Sequence, residues 1–186
     1  MEYYEVYDKE GNPTGVVESR ETVHQKGLWH ATVHVWIYTE GGEILLQKRS
    51  RNKDSHPFLW DISAAGHLTP GENPADAAIR EMMEELSIKA RARDLVFLDR
   101  RNLSLVSKGG SFIDNEITSI YLYKWEGSLC SLKPDGEEVE ALSFFSIRDL
   151  SKLLDDPAGR TGFVPHGEEY HGWILGEIEK RTERTL

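Results

Sequence analysis

One cysteine, Cys130, in 186 residues excludes an internal disulfide and a cysteine-rich metal site. It reads as a small apolar strand residue. No long apolar run is present, so no membrane partner is expected. The opening MEYYEVYDKEG is charged and turn-like rather than an apolar leader, which points to a cytoplasmic protein. Basic residues are the minority, 22 against 32 acidic, for a formal charge of -10. A basic stripe is therefore missing, and duplex nucleic acid is disfavoured as a partner. A small anion would need a local basic pocket. There is neither an internal repeat nor a low-complexity linker, and the length suits one well-buried domain spanning 1–186.

What is present is a mixture of strand and helix signals. Residues 1–20 read as a hairpin with KEGNP as its turn, and ATVHVWIYTEGGEILLQKRS as two strands about Gly41 and Gly42. A short strand around DISAAG follows. ARDLVFLDRRNLSLV, FIDNEITSIYLYKW and ALSFFSI have strand character, IRDLSKLLDD suggests a helix, and 168–184 has the spacing of an amphipathic C-terminal helix. Trp29, Trp36, Trp60 and Trp125 are candidates to stack a base or cover an isoprenoid, but they fall in strand-like stretches, where tryptophan more often serves the core. Periodicity supports a mixed α/β class and no more.

The segment GHLTPGENPADAAIREMMEELSI, 66–88, carries the chemistry. Asn73 and Pro74 predict a helix start, because an Asn side chain caps an orphan amide and proline is tolerated at the first helical position. Ala75, Ala78, Ile79, Met82 and Leu86 then form an apolar face. At about 100° per residue, Glu81, Glu84 and Glu85 gather on the other side, with Arg80 at the edge of the patch. Like charges so placed destabilise a helix by a few tenths of a kcal/mol per pair. A solvated charged face would explain them; so would a hard cation such as Mg²⁺, which takes oxygen ligands and removes the repulsion.

Gly66, Glu72, Arg80-Glu81, apolar Met82, Glu84-Glu85 and apolar Ile88, at these spacings, resemble the Nudix box. One position departs: Ser87 stands where the family usually has glycine, at an expected helix C-terminus where glycine relieves backbone strain. The resemblance implies the Nudix fold, an α/β (α+β) architecture with a mixed β-sheet between helices. It implies Mg²⁺ as cofactor, with Mn²⁺ as a substitute, held by Glu81, Glu84 and Glu85, and hydrolysis of a small-molecule diphosphate. Arg80 would orient these carboxylates. Glu72 would either join the metal or fix the loop. The proton acceptor is one of Glu81, Glu84, Glu85 and Glu116.

Outside the box, HQKGLWHATVHVWI, LLQKRSRNKDSHPFLWDISAAGH and DNEI resemble the branch that contains isopentenyl diphosphate isomerase and its hydrolase relatives. That branch implies a metal held by positions matching His24, His30, His67, Asp114 and Glu116, with aspartate replacing one glutamate. Arg49 and Lys53 match its diphosphate-binding positions; otherwise they read as ordinary surface cations. His34 and His56 match no ligand position and read as structural, and His166 and His171 are unassigned. The isomerase uses a cysteine immediately before the Gly-His pair, where this chain has Ala65. With the box glutamates retained, the expectation is a hydrolase, with the isomerase as alternative and a silent diphosphate- or nucleotide-binding protein as a third. A homodimer is compatible with this reading.

Overall fold

The structure, a computed structural model, describes residues 2–182. The expected N-terminal hairpin forms from β1 (Tyr3–Tyr7) and β2 (Pro13–Ser19). Helix α1 (Arg20–Lys26) follows, which the sequence reading did not propose. Its signals are local: Ser19 caps the Thr22 amide, and Gly27 closes it at φ 62°. Next come β3 (Trp29–Tyr38), β4 (Glu43–Arg49), the short β5 (Trp60–Asp61) and β6 (Ala64–His67), then α2 (Pro74–Leu86). The second half runs β7 (Leu95–Ser107), β8 (Phe112–Lys124), β9 (Val139–Ser146), α3 (Ile147–Asp155), α4 (Pro157–Arg160) and α5 (Glu168–Thr182). Positions 183 and 184 of the expected C-terminal helix lie outside the described residues.

Strand β3 organises the mixed sheet. It pairs in parallel with β8 along its whole length, His30 opposite Glu116 and Thr32 opposite Thr118. On its other edge it meets β1, β6 and β4 in turn. Alternation then sorts the side chains. Val33, Val35 and Ile37 face one way and pack with Ala77, Ala78, Met82 and Leu86 of α2. Trp36 and Tyr38 face the other way, into a second core with Leu150 and Leu154 of α3 and Ile174 and Ile178 of α5. The strand's first half carries His30, Thr32 and His34 on that second face. They are buried, yet polar. Their burial beside Thr118 and Glu116 makes a polar floor where a core would otherwise continue.

Two local expectations are corrected. Cys130 is exposed in a 3-10 turn, Leu129–Ser131, because Ser128 caps that turn and ends any strand. On α2 the fully buried small residues are Ala77 and Ala78, whereas Ala75 and Ile79 are half-buried. The helix is rotated relative to the simple apolar stripe, and Glu81 and Glu85 lie inside with Met82 and Leu86. Among the described residues no helix is long and apolar enough to cross a membrane.

Candidate active site

Helix α2 starts where Asn73 accepts a hydrogen bond from the Ala75 amide, and stops at Ser87, which takes φ 59°. This fixes how its acids are aimed. Glu85 is 2 % exposed. Its Oε2 accepts hydrogen bonds from the Ala65 amide at 3.1 Å and from Gln47 Nε2 at 3.2 Å, while its Oε1 is buried without a partner. Glu81 lies under Gly66, and only glycine leaves it room. Burial pushes Glu81 up to about 7, against the pull of Arg80, and pushes Glu85 well above the usual carboxylate range. Glu84 is the exposed member.

Arg80 ties these acids to the loop before the helix. It donates to both oxygens of Glu72 at 2.9 Å, to Glu81 at 2.6 Å, to Glu84 at 3.1 Å and to the His67 carbonyl at 2.9 Å. Its hydrogen bonds hold Glu72 below the usual carboxylate range. Glu72 also accepts from the Thr69 amide at 2.9 Å, so the loop and the box acids form one network.

The second group comes from four separate elements. His24 of α1, His30 of β3, His67 of β6 and Asp114 of β8 bring one ligand atom each within 4.8 Å of one another. His24 Nδ1 lies 2.7 Å from the Arg20 carbonyl and His30 Nδ1 lies 3.0 Å from the Leu28 carbonyl. Both ring edges therefore carry their proton on Nδ1, which leaves Nε2 as a bare lone pair in the neutral ring. Those Nε2 atoms face Asp114 Oδ1 at 3.4 and 3.3 Å. Acceptors pointed at a carboxylate repel unless a positive charge sits among them. The Nε2 atoms of His24, His30 and His67 and Asp114 Oδ1 are all buried without a hydrogen-bond partner. Each such orphan costs about 1–3 kcal/mol. Burial holds His67 neutral, well below the usual imidazole range.

Glu116 lies two residues along β8, outside the four-residue group. Burial and the neighbouring Asp114 and Asp61 push it well above the usual carboxylate range. His34 faces it, Nε2 to Oε2 at 3.9 Å, and accepts or donates at Nδ1 with the Tyr170 hydroxyl at 2.7 Å. Burial lowers His34 to about 3, so this ring is neutral.

Arg49 and Lys53 are already engaged. Arg49 donates to Asp61 at 2.8 Å and to the Ser55 carbonyl at 3.0 and 3.1 Å, and Lys53 pairs with Glu138. Glu81, Glu84, Arg80, His24, His67, Asp114, Glu116, Arg49 and Lys53 border one cavity of about 1040 Å³, whereas Glu85, His30 and Glu72 do not line it. Asp61 and His166 border it too. The sequence assigns no role to Asp61 or His166. They stand 105 residues apart and make a 2.7 Å hydrogen bond, which no local pattern reveals.

The family model for the NUDIX domain matches residues 28–166. Nudix hydrolase 3 of Arabidopsis thaliana is 37% identical over 98% of this chain, which spans only 24% of that protein's length. An isopentenyl-diphosphate Delta-isomerase of Serratia proteamaculans is 31% identical over 90% of this chain and 84% of its own. The fold is also that of a Deinococcus radiodurans protein whose crystal structure superposes with a TM-score of 0.63, at 16% identity, over 96% of this chain and 98% of that one. The extent of the family match, together with the box helix under Gly66, leads to one conclusion: this chain belongs to the NUDIX domain family.

Proposed function

We propose that this chain is a metal-dependent hydrolase that cleaves a small-molecule diphosphate, such as a nucleoside diphosphate linked to a second moiety. The observation that carries the reading is the buried Glu85 carboxylate, with one oxygen fixed by the Ala65 amide and Gln47 and the other without a partner. A lone buried carboxylate of this kind is costly, and a hard cation removes the cost. Glu81, Glu84 and Glu85 offer the oxygen donors that suit Mg²⁺, although among the described residues their ligand atoms do not gather within 4.8 Å as those of the histidine group do. The set of three imidazoles and one carboxylate at His24, His30, His67 and Asp114 fits a second divalent ion, with Mn²⁺ or Zn²⁺ suited to its nitrogen donors.

A bound divalent cation supplies charge neutralisation at the phosphate oxygens and a more acidic water. The chain's own residues do the rest. Arg80 holds Glu81 and Glu84 in place through its network with Glu72. Among acids bordering the cavity, Glu81 is raised by burial to about 7, so it is the group suited to exchange a proton near neutral pH, and burial raises Glu116 well above the usual carboxylate range. Arg49 and Lys53 offer cationic edges to the diphosphate. Lys53 also draws Glu85 toward its charged form.

The isomerase reading needs an acid immediately before Gly66. Ala65 offers a methyl group there, while its amide serves Glu85. Hydrolysis is therefore favoured over isomerisation. The test is phosphate release from a panel of diphosphates with Mg²⁺, run beside an assay for isopentenyl to dimethylallyl conversion. Mg²⁺-dependent release without isomerisation is expected. Isomerisation without release, or binding without turnover, would overturn the reading.

A further inference from the structure

A third polar group borders the cavity and takes no part in either proposed cation site. Asp61, 6 % exposed, accepts hydrogen bonds through Oδ1 from His166 Nε2 at 2.7 Å and from the Ile62 amide at 2.8 Å, and through Oδ2 from Arg49 at 2.8 Å. The Arg49 guanidinium paired with Oδ2 and the Ile62 amide donating to Oδ1 both favour the charged form, so Asp61 is a carboxylate. It follows that His166 Nε2 carries a proton. In the neutral ring Nδ1 is then an acceptor, and no described residue bonds to it. The ring borders the cavity and is boxed in by His34 at 5.2 Å and by Tyr170 and His171 at 5.8 Å.

Charge decides what such an edge can receive. The negative charge of Asp61 is balanced by Arg49, so with His166 in its neutral form the Asp61–His166 pair presents a directional acceptor without excess positive charge. A phosphate oxygen, itself an acceptor, gains nothing from it. A hydroxyl or N–H group does. Burying hydrocarbon against it would leave a polar edge unmatched, which is the arrangement by which sites reject analogues that lack a donor.

We propose that His166, oriented by Asp61, accepts a hydrogen bond from a hydroxyl or N–H group on the part of the substrate beyond the diphosphate, and selects for substrates that carry one. His166 is the contact and Asp61 the positioning residue. The proposal rests on the hydrolase reading above for its kinetic test, and on binding alone for its second.

The experiment compares ADP-ribose, rich in hydroxyls, with isopentenyl diphosphate, whose organic half is hydrocarbon, in the wild-type protein, His166→Phe and His166→Gln with Mg²⁺. The expected result is a loss of at least about tenfold in kcat/KM for ADP-ribose in His166→Phe, carried mainly by KM, with isopentenyl diphosphate changed by no more than about twofold. His166→Gln, which keeps an acceptor, should recover much of the loss. Equal losses on both substrates, no loss on ADP-ribose, or wild-type turnover of isopentenyl diphosphate alone would each overturn the proposal while leaving diphosphate hydrolysis intact. If the wild-type protein turns over neither, the diphosphate panel above judges the hydrolase reading, and calorimetric binding of ADP-ribose decides the contact. Binding about tenfold weaker in His166→Phe supports it; equal binding, or none to wild type, overturns it.

Discussion

The backbone at Gly66 rests on the Glu81 carboxylate so closely that a Cβ there would stand 2.1 Å from Cδ and Oε1. The glycine is thus required by a neighbouring side chain, not by an unusual φ. A methyl group must displace Glu81, and Glu81 is the flexible end of a side chain. Gly66→Ala should accordingly fold, with a stability loss of about 1–2 kcal/mol, yet lose most of its turnover. Circular dichroism melting and the phosphate-release assay together check this. An active Gly66→Ala protein would mean that Glu81 need not occupy its present place.

Glu85 links function to a stability cost. Its folded-state pKa is raised by burial, so folding favours its neutral form. That contribution is fully present below about pH 4.5, the unfolded value, and is lost as pH rises through the folded one. Glu85→Gln stays neutral throughout. In EDTA the variant should melt at a temperature similar to wild type in acid and several degrees above it at pH 8. Curves that stay parallel across this range would refute the buried charge.

The fold was most readable where its cause is local. Asn73 and Pro74 announce α2, and alternation marks β3, because capping and strand period act over a few residues. Helical spacing predicts one surface patch for the box acids, but Glu81 and Glu85 point inward, where Glu81 packs against Gly66 and Glu85 accepts from the Ala65 amide and Gln47. His24, His30, His67 and Asp114 could be grouped only through the resemblance, since four different elements carry them. Asp61 with His166, and His34 with Tyr170 across 136 residues, depend on how α5 and the loop before it lie over β3. Nothing in their neighbours along the chain signals this.

Ser87 shows a small departure with a readable price in stability. It holds φ 59° at the end of α2, a region that costs a residue with a side chain about 1 kcal/mol. Its hydroxyl returns only a 3.4 Å contact to the Lys133 carbonyl. Ser87→Gly should raise Tm by about 2–4 °C and leave turnover unchanged. Unaltered or lower thermal stability would show that the serine's contacts outweigh its backbone strain.

The imidazole group can be tested without turnover. If the unpartnered Nε2 atoms of His24, His30 and His67 hold a cation, Mn²⁺ should raise Tm in the wild-type protein, and His30→Gln, which removes a ligand, should weaken that binding by at least about tenfold. Diffraction from crystals grown with Mn²⁺ should place an anomalous peak among the three rings and Asp114. A peak at the box acids alone would remove the second site.

The most direct measurement of the central claim is steady-state turnover of a diphosphate substrate by wild type and Glu85→Gln, side by side in saturating Mg²⁺. Glutamine keeps the size and helix propensity of glutamate but not its charge. Turnover lower by about two orders of magnitude or more in the folded variant is the expected result. Wild-type turnover by Glu85→Gln would contradict a hydrolytic metal held by the buried box carboxylate.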